Sequence, residues 1–528
     1  MVASEMQDVV TIIGGGLAGM CLALQLRRAA PELQIVVLER REDPPPRASF
    51  KVGESSVEIG SHYFLRVLEL EDELRQQLPK YGLRFFFTSG DNRELGARLE
   101  LGPSHPSTHP SFHIDRGSFE QALRERCARV GVDLRLGCKV TAVEAGSPWR
   151  VRYQQGARPY SHTSRWVVDA SGRAEVLKRR LALKRDNRHD IGAAWFRVDR
   201  PYELDTWSAA PGFRERNKIP RRLTTNHLMG PGYWLWFIPL ADDRTSVGLV
   251  ADSRLHPFDE LRTRDRLQRW LARHEPQAAE LLARHDGPDL DFLTYKKVSY
   301  SARQVISDEG WFLTGDSSRF LDPLYSPGSD FIGLNNTYIT DLIARAHRGE
   351  DTRELAAQWE TDSHNFYQGF LLVYQRQYPM FGNGRVMALK IMWDFAVYWA
   401  FLSQLFINGR VTDPDFMRET RPLLRELAAL NANVQRLLRQ WASARASDEP
   451  PRGFVDYLSI PFLRELNSTL TRPIDAPGLH ARLQQNLTLL KTLRVGLFAA
   501  SGREVSGPST WRSGQPWAPA LERLGLRA

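Results

Sequence analysis

The chain has 528 residues, 42% of them hydrophobic and 25% charged, which is ordinary for a globular protein and too long for one hydrophobic core; two or three packed lobes are expected. The net charge is +9, yet no Lys/Arg block is interleaved with aromatics, so nucleic acid is not an expected partner. The charge fits either an acidic partner or a bias towards arginine. Three cysteines, Cys21, Cys127 and Cys138, are too few for a disulfide framework, and no Cys/His spacing suggests a metal. The first residues, Met1 to Glu5, lack the layout of a signal peptide, so a reducing cytoplasm is the expected location.

In chain order, VVTII (9–13) reads as a buried parallel strand. Gly14-Gly15-Gly16-Leu17-Ala18-Gly19 follows, then the helical stretch MCLALQLRRAA, then LQIVVLE ending at Glu39 with Arg40 next. Strand, glycines, helix, second strand and acid together form a dinucleotide fingerprint. Glycines allow a tight turn and close approach of a pyrophosphate, the helix N-terminus offers amides, and the acid accepts from a ribose hydroxyl. The stretch FKVGESSVEIGSHYF (50–64) places Lys51 and Glu54 on either side of Gly53. FHIDRGSFEQAL (112–123) sets Arg116 ahead of a helix, and RWVVDASGR (165–173) reads as a strand ending at Asp169.

The region from about 185 to 300 is strand-rich and contains GYWLWFIPL (232–240), with Trp234 and Trp236 alternating along a strand. Next, GWFLTGDSSRFLDPLYSPGSDFIGLNN (310–336) gives a strand, Gly315-Asp316, and a loop leading into a helix. From about 340 the pattern turns helical. IMWDFAVYWAFLSQLFI (391–407) carries Asp394 and Gln404 and reads as a buried or interface helix rather than a membrane span. Phe366, Tyr367, Phe370, Tyr374, Tyr378, Phe381 and Trp393 fit either a substrate pocket or plain packing. The Pro-Arg-Gly stretch near 449–453 reads as a linker, and the tail after 500, with Trp511 and Trp517, as surface.

In order and spacing these motifs resemble the group A flavoprotein monooxygenase superfamily. The Trp-x-Trp-x-Ile-Pro run, KVGES and DPLYSPG together resemble the flavin-dependent halogenases within it, over roughly residues 8 to 350. The resemblance implies an α/β (α+β) fold: a Rossmann-like FAD-binding domain with an inserted mixed β-sheet substrate region and a C-terminal helical lobe. The expected division is a core over 1–350, with the sheet region at about 185–300 inserted, and a helical substrate-covering region over 351–528. It implies FAD as the cofactor, held by Gly14, Gly16, Leu17, Ala18, Gly19, Glu39, Arg40, Arg116, Asp169, Gly315 and Asp316. Arg116 would reach the pyrophosphate side, and Gly315-Asp316 a ribityl hydroxyl.

The tryptophan-halogenase branch places its working lysine nine residues after the Gly of Gly-Glu, where this chain has His62. It also has a Glu where this chain has Tyr325. The phenol-, pyrrole- and acyl-type branch has Lys-x-Gly-Glu-Ser, matched by Lys51, and an aromatic residue before the loop serine, matched by Tyr325. By resemblance Lys51 handles hypohalous acid beside the substrate, and Glu54 is a second catalytic candidate. Trp234, Trp236 and Tyr325 shield the flavin or meet the substrate. A lysine that only steadies the Gly53-Glu54 turn is the alternative.

The family's halide site uses amides of a Ser/Thr-Gly pair, but this loop reads Ser326-Pro327-Gly328, and proline has no N–H. That leaves Ser326, Gly328 and Ser329 for the halide. It also leaves a second function open: a halogenase-like monooxygenase that oxidises its substrate, even a protein side chain, without halide. The resemblance further implies a separate flavin reductase and a substrate that is either a free aromatic molecule or one tethered to an acidic carrier protein.

Overall fold

A computed structural model describes residues 8–43, 51–284, 287–445, 450–502 and 516–526. The chain divides into two compact units, each assembled from separated segments: 1–77, 114–188 and 299–368 in the first, and 78–113, 189–298 and 369–528 in the second.

The first unit is built on a five-stranded parallel sheet in the order Trp311–Leu313, Trp166–Asp169, Val9–Ile13, Gln34–Leu38, Asp133–Arg135. Val9–Ile13, Gln34–Leu38 and Trp166–Asp169 are short β-branched runs, buried at every position but Gln34, the pattern of a covered parallel sheet. Register aligns Ile13 with Leu38 and Asp169, and Asp169 with Leu313. The four motifs that follow these strands therefore leave the sheet at one edge, where ligands of open α/β sheets bind. Helices Leu17–Ala29, Arg116–Arg129 and Gly328–His347 pack together in this unit. An antiparallel sheet of Cys138–Glu144, Trp149–Gln155 and Arg158–Ser164 completes it.

The second unit is built on an eight-stranded mixed sheet. Its order is Asp291–Tyr295, Ile191–Val198, Thr245–Asp252, Tyr233–Pro239, Thr225–Gly230, Leu83–Phe87, Leu99–Gly102, Gly453–Asp456. One face carries Phe86, Phe196, Leu228, Leu235, Phe237 and Leu249 into a core with Trp270 and Leu271 of helix Arg264–His274. A charge cluster is buried in the same unit. Glu100 accepts from Arg84, from Arg221 Nε at 2.8 Å and from Arg216 Nε at 2.9 Å, and Arg221 also pairs with Asp205 at 2.6 Å.

Three C-terminal expectations are refined here. Of the stretch near 449–453 read as a linker, residues 450–452 carry no regular structure, and Gly453 opens an edge strand, Gly453–Asp456, paired in parallel with Leu99–Gly102, which joins the C-terminal residues to this sheet; residues 446–449 lie outside the described residues. The stretch 391–407 lies within Gly384–Ile407, long and apolar enough by length and composition to cross a membrane, and 89% of its apolar window is buried inside the protein. Its polar residues are satisfied internally: Asp394 pairs with Lys390 and accepts from Gln435 Nε2 at 2.7 Å, and Gln404 donates to Thr469 at 3.1 Å. Trp517, expected on the surface, is fully buried, its indole N–H donating to the Leu493 carbonyl at 2.8 Å and its ring 5.0 Å from that of Phe462. Trp511 lies outside the described residues.

Candidate functional site

In the first unit the glycine turn is shaped by close approach. Gly14 has φ +110°, and a Cβ there would stand 2.7 Å from the Ala170 carbonyl carbon; one on Gly19 would fall inside contact with the Gly14 carbonyl. Neither position admits a side chain. Leu17 and Ala18 are buried at the start of the helix capped by Gly16. The first hydrogen bond of that helix runs from Met20 N–H to the Gly16 carbonyl at 3.0 Å, so the amides before it have no helical acceptor. Glu39 accepts from the Gly15 and Arg41 amides at 2.7 and 2.9 Å. Arg40 is exposed. The cradle fits a dinucleotide: bare backbone at the turn, amides at a helix N-terminus, and a carboxylate beside them.

The segment 51–62 is stitched onto this turn. Arg116, the first residue of helix Arg116–Arg129, donates through Nη1 to the Val52 carbonyl at 2.7 Å and through Nη2 to Glu120 Oε1 at 2.6 Å. Gly53 has φ +93°, and a Cβ there would stand 2.9 Å from Arg116 Nη1, so only glycine lets the guanidinium pass. The Glu54 carbonyl accepts from Ile114 N–H at 2.8 Å, and the residue is buried. Lys51 ion-pairs with Glu120 Oε2. Its Nζ lies 3.6 Å from the point a Cβ on Gly16 would occupy, at the mouth of the glycine turn.

Burial pushes the Lys51 ammonium below the usual lysine range; Glu120 opposes this, while Arg116 and Arg41 act with it. Burial would raise Glu120, but Arg116 and Lys51 together hold its carboxyl below the usual range.

Two further motifs meet the same edge. Gly315 has φ +61°, and a Cβ there would stand 2.7 Å from Ala18 Cβ. The Asp316 carboxyl is raised by burial, with Arg116, Arg173, Lys51 and Lys178 opposing. Asp169 is committed to the backbone: its carboxylate accepts from Ser171 N–H and Oγ at 3.0 and 2.6 Å, Leu177 N–H at 2.7 Å and Lys178 N–H at 3.3 Å. It shapes the turn that places Ala170 against Gly14.

The loop after Asp322 ends in a left-handed Ser326, φ +58°, and Pro327 is the N-cap of helix Gly328–His347. Asp322 caps the Leu324 amide at 3.1 Å, and Tyr325 is half-buried. The other end of the 51–62 segment reaches this helix: Asp330 accepts from Gly60 N–H at 2.8 Å, and a Cβ on Gly60 would stand 2.6 Å from Ser329 Cβ.

Sequence reading missed Glu120 and Asn336. Glu120 stands one helical turn after Arg116, a spacing that brings side chains together and could have flagged it. Asn336 donates to Ala18 carbonyl at 3.1 Å and Tyr63 Oη at 3.0 Å and accepts from Thr314 at 2.6 Å. It ties the glycine helix to the end of the 311–313 strand, and no local pattern marks it.

In the second unit Trp234 and Trp236 lie on the sheet face opposite the core cluster that includes Tyr233, Leu235 and Phe237. Both are buried, their rings 5.5 Å apart. Trp234 donates to Tyr378 Oη at 3.0 Å and Trp236 to Ser246 Oγ at 3.1 Å. Gly248 stands in register between Trp195 and Trp236 on the neighbouring strands. Of the aromatics read as pocket or packing, Tyr367 is buried in the first unit, and Tyr374, Tyr378, Phe381 and Trp393 in the second.

Comparison with known proteins places this arrangement. Residues 88–375 match the family described as tryptophan halogenase, and residues 12–78 the NAD(P)-binding Rossmann-like domain. Flavin-dependent halogenase chlA of Dictyostelium discoideum is 25% identical over 448 residues, 76% of this chain and 70% of that protein. A 1H-pyrrole-2-carbonyl-[peptidyl-carrier protein] chlorinase of Pseudomonas fluorescens is 25% identical over 406 residues, 70% of this chain and 83% of its own. A mutant of halogenase PltM, solved in complex with FAD, superposes with a TM-score of 0.66 at 17% identity, over 91% of this chain and 96% of that one.

Proposed function

The chain belongs to the tryptophan halogenase family, and from that premise we propose that it replaces hydrogen by halogen on an electron-rich aromatic group, either free or tethered to a carrier protein. It is an FAD-dependent oxidoreductase of the flavin-dependent halogenase type. The observation that carries the reading is the glycine cradle, with Glu39 and Asp316 at one sheet edge, in a chain that also carries the buried Trp234/Trp236 pair.

Reduced FAD held there would give two electrons to dioxygen, and the oxygen so reduced to the peroxide level would oxidise halide to hypohalous acid with release of water. Substitution on the ring then exchanges C–H for C–halogen and releases water. The chain's own contribution is binding and exclusion of water. The turn of Gly14, Gly16 and Gly19 receives the dinucleotide, Glu39 a ribose hydroxyl, and Asp316 a ribityl hydroxyl. Tyr325 supplies bulk beside the loop of the first unit, and Trp234 and Trp236 supply it on the sheet of the second. Halide is received by the amides of Gly328 and Ser329 at the head of the helix, beside Ser326.

Among the relatives, two act on pyrrole held by a peptidyl carrier protein. The +9 charge of this chain suits an acidic carrier. A separate reductase supplies reduced flavin. Two roles for Lys51 are compatible with the reaction: delivery of oxidised halogen to the substrate, and binding of cofactor phosphate. Its position at the glycine turn favours the second. Glu54 gives its carbonyl to a backbone bond, and its buried carboxyl remains a candidate acid or base.

Purified protein, FAD, a flavin reductase and NADH are incubated with bromide or chloride and a panel of phenols and carrier-bound pyrroles. A product mass that follows the halide establishes the function; no halogenated product across the panel overturns it. Pro327, which removes one anion donor from the loop, favours a second reading, oxygenation of the same class of substrate. That reading is established by an oxygen-bearing product formed equally well without halide.

A further inference from the structure

The lysine of the KVGES stretch lies at the mouth of the glycine turn and shares its carboxylate partner with Arg116. Lys51 and Arg116 share one carboxylate, Glu120, on opposite oxygens. Lys51 Nζ sits beside Gly16, at the positive end of the Leu17–Ala29 helix. A cation there is disfavoured by the helix dipole, and an anion favoured. Arg116 Nε is buried with no hydrogen-bond partner among the described residues. The backbone is built to hold this pair: Val52 offers its carbonyl to Arg116, and Gly53 clears the guanidinium's path. A pyrophosphate at the glycine turn would meet both the helix amides and the Lys51 ammonium.

We propose that Lys51 binds the pyrophosphate of FAD, with Glu120 as the counter-ion that holds Lys51 and Arg116 together at the glycine turn before the cofactor arrives. The inference rests on FAD being the cofactor, and it moves Lys51 from halogen delivery to cofactor capture. The Lys-x-Gly-Glu motif then reads as a phosphate clamp: the lysine supplies charge, and the glycine admits a second cation from the next helix.

The test is binding, not turnover. Oxidised FAD and riboflavin, which lacks the pyrophosphate, are titrated by flavin fluorescence against wild type, Lys51→Met and Lys51→Arg. A charge-assisted contact is worth about tenfold to a hundredfold in affinity. Lys51→Met is expected to weaken FAD by at least about tenfold, leave riboflavin unchanged and flatten the salt dependence of FAD binding. Lys51→Arg is expected to restore FAD affinity to within a few-fold of wild type. Thermal melts of both variants separate a binding defect from misfolding.

FAD affinity unchanged in Lys51→Met overturns the proposal, as does equal loss of FAD and riboflavin, an equal loss in Lys51→Arg, or loss of halogenation with FAD binding intact. Failure of the wild type to bind FAD at all would instead strike the function itself.

Discussion

Gly248→Ala tests the packing of the tryptophan pair in the second unit. Gly248 lies in register between Trp195 and Trp236, and a Cβ there would stand 2.5 Å from Trp195 Cβ and closer still to the Trp236 ring. On its own a Gly→Ala change in a strand stabilises by about 0.4–1 kcal/mol through the unfolded chain. Here the ring must move, and overpacking a closed core costs about 1–3 kcal/mol. Trp236 cannot swing aside and keep its bond to Ser246, whose loss adds about 1 kcal/mol. The sum is a net destabilisation of about 1–3.5 kcal/mol. Urea unfolding followed by tryptophan fluorescence, fitted with separate transitions for the two units, reads it. FAD affinity should be unchanged while halogenation falls. If the variant is as stable as wild type, the tryptophan ring is not locked as described and the packing argument fails.

The other expectations are shorter. Glu100→Gln leaves Arg84, Arg221 and Arg216 facing each other in a buried cluster and should cost about 3 kcal/mol or more, measured by the same unfolding transition. Burial raises the Glu100 carboxyl, but the three arginines more than offset this and hold it below the usual 4.5; its contribution to stability is complete above that pH and lost as pH falls below it, and the acid limb should flatten in Glu100→Gln. Gly19→Ala sets a Cβ against the Gly14 carbonyl and 3.2 Å from Ala170 Cβ, and should weaken FAD by at least about tenfold in fluorescence titration. Pro327→Ala restores an N–H at the N-cap of the loop helix, where φ is −76°, and should lower the halide KM by about tenfold without changing FAD affinity.

Much of the glycine turn and the strands around it was legible because it is local. A strand, three glycines, a helix and an acid fall within a few tens of residues, and each declares its role by residue type. The edge motifs at Asp169 and Gly315-Asp316 could be read as strand ends for the same reason. What could not be read is what depends on partners far along the chain. Gly453 ends a Pro-Arg-Gly stretch that looks like linker, and only Leu99–Gly102, far back in the chain, makes it the start of a strand. Trp517 looks like tail until helix Ala476–Ala500 offers it a carbonyl and a surface to bury against. Lys51 looked like a substrate-side lysine by motif alone, and its placement at Gly16 depends on Glu120, which arrives from another helix. Asp394 argued against a membrane span without revealing that Lys390 and Gln435 satisfy it.

The parallel sheet of the first unit also dictates an order of assembly. Val9–Ile13, Gln34–Leu38 and Trp166–Asp169 can pair as soon as the first third of the chain is made, but Trp166–Asp169 gains its other neighbour only when Trp311–Leu313 emerges. At about 5–20 residues per second, synthesis of the intervening strands leaves that edge open for roughly 7–28 s. For that interval the nascent chain presents a β-branched edge to its neighbours on the polysome. Slower initiation, which spaces ribosomes apart, should raise the soluble yield of this protein more than slower elongation, which lengthens the exposure.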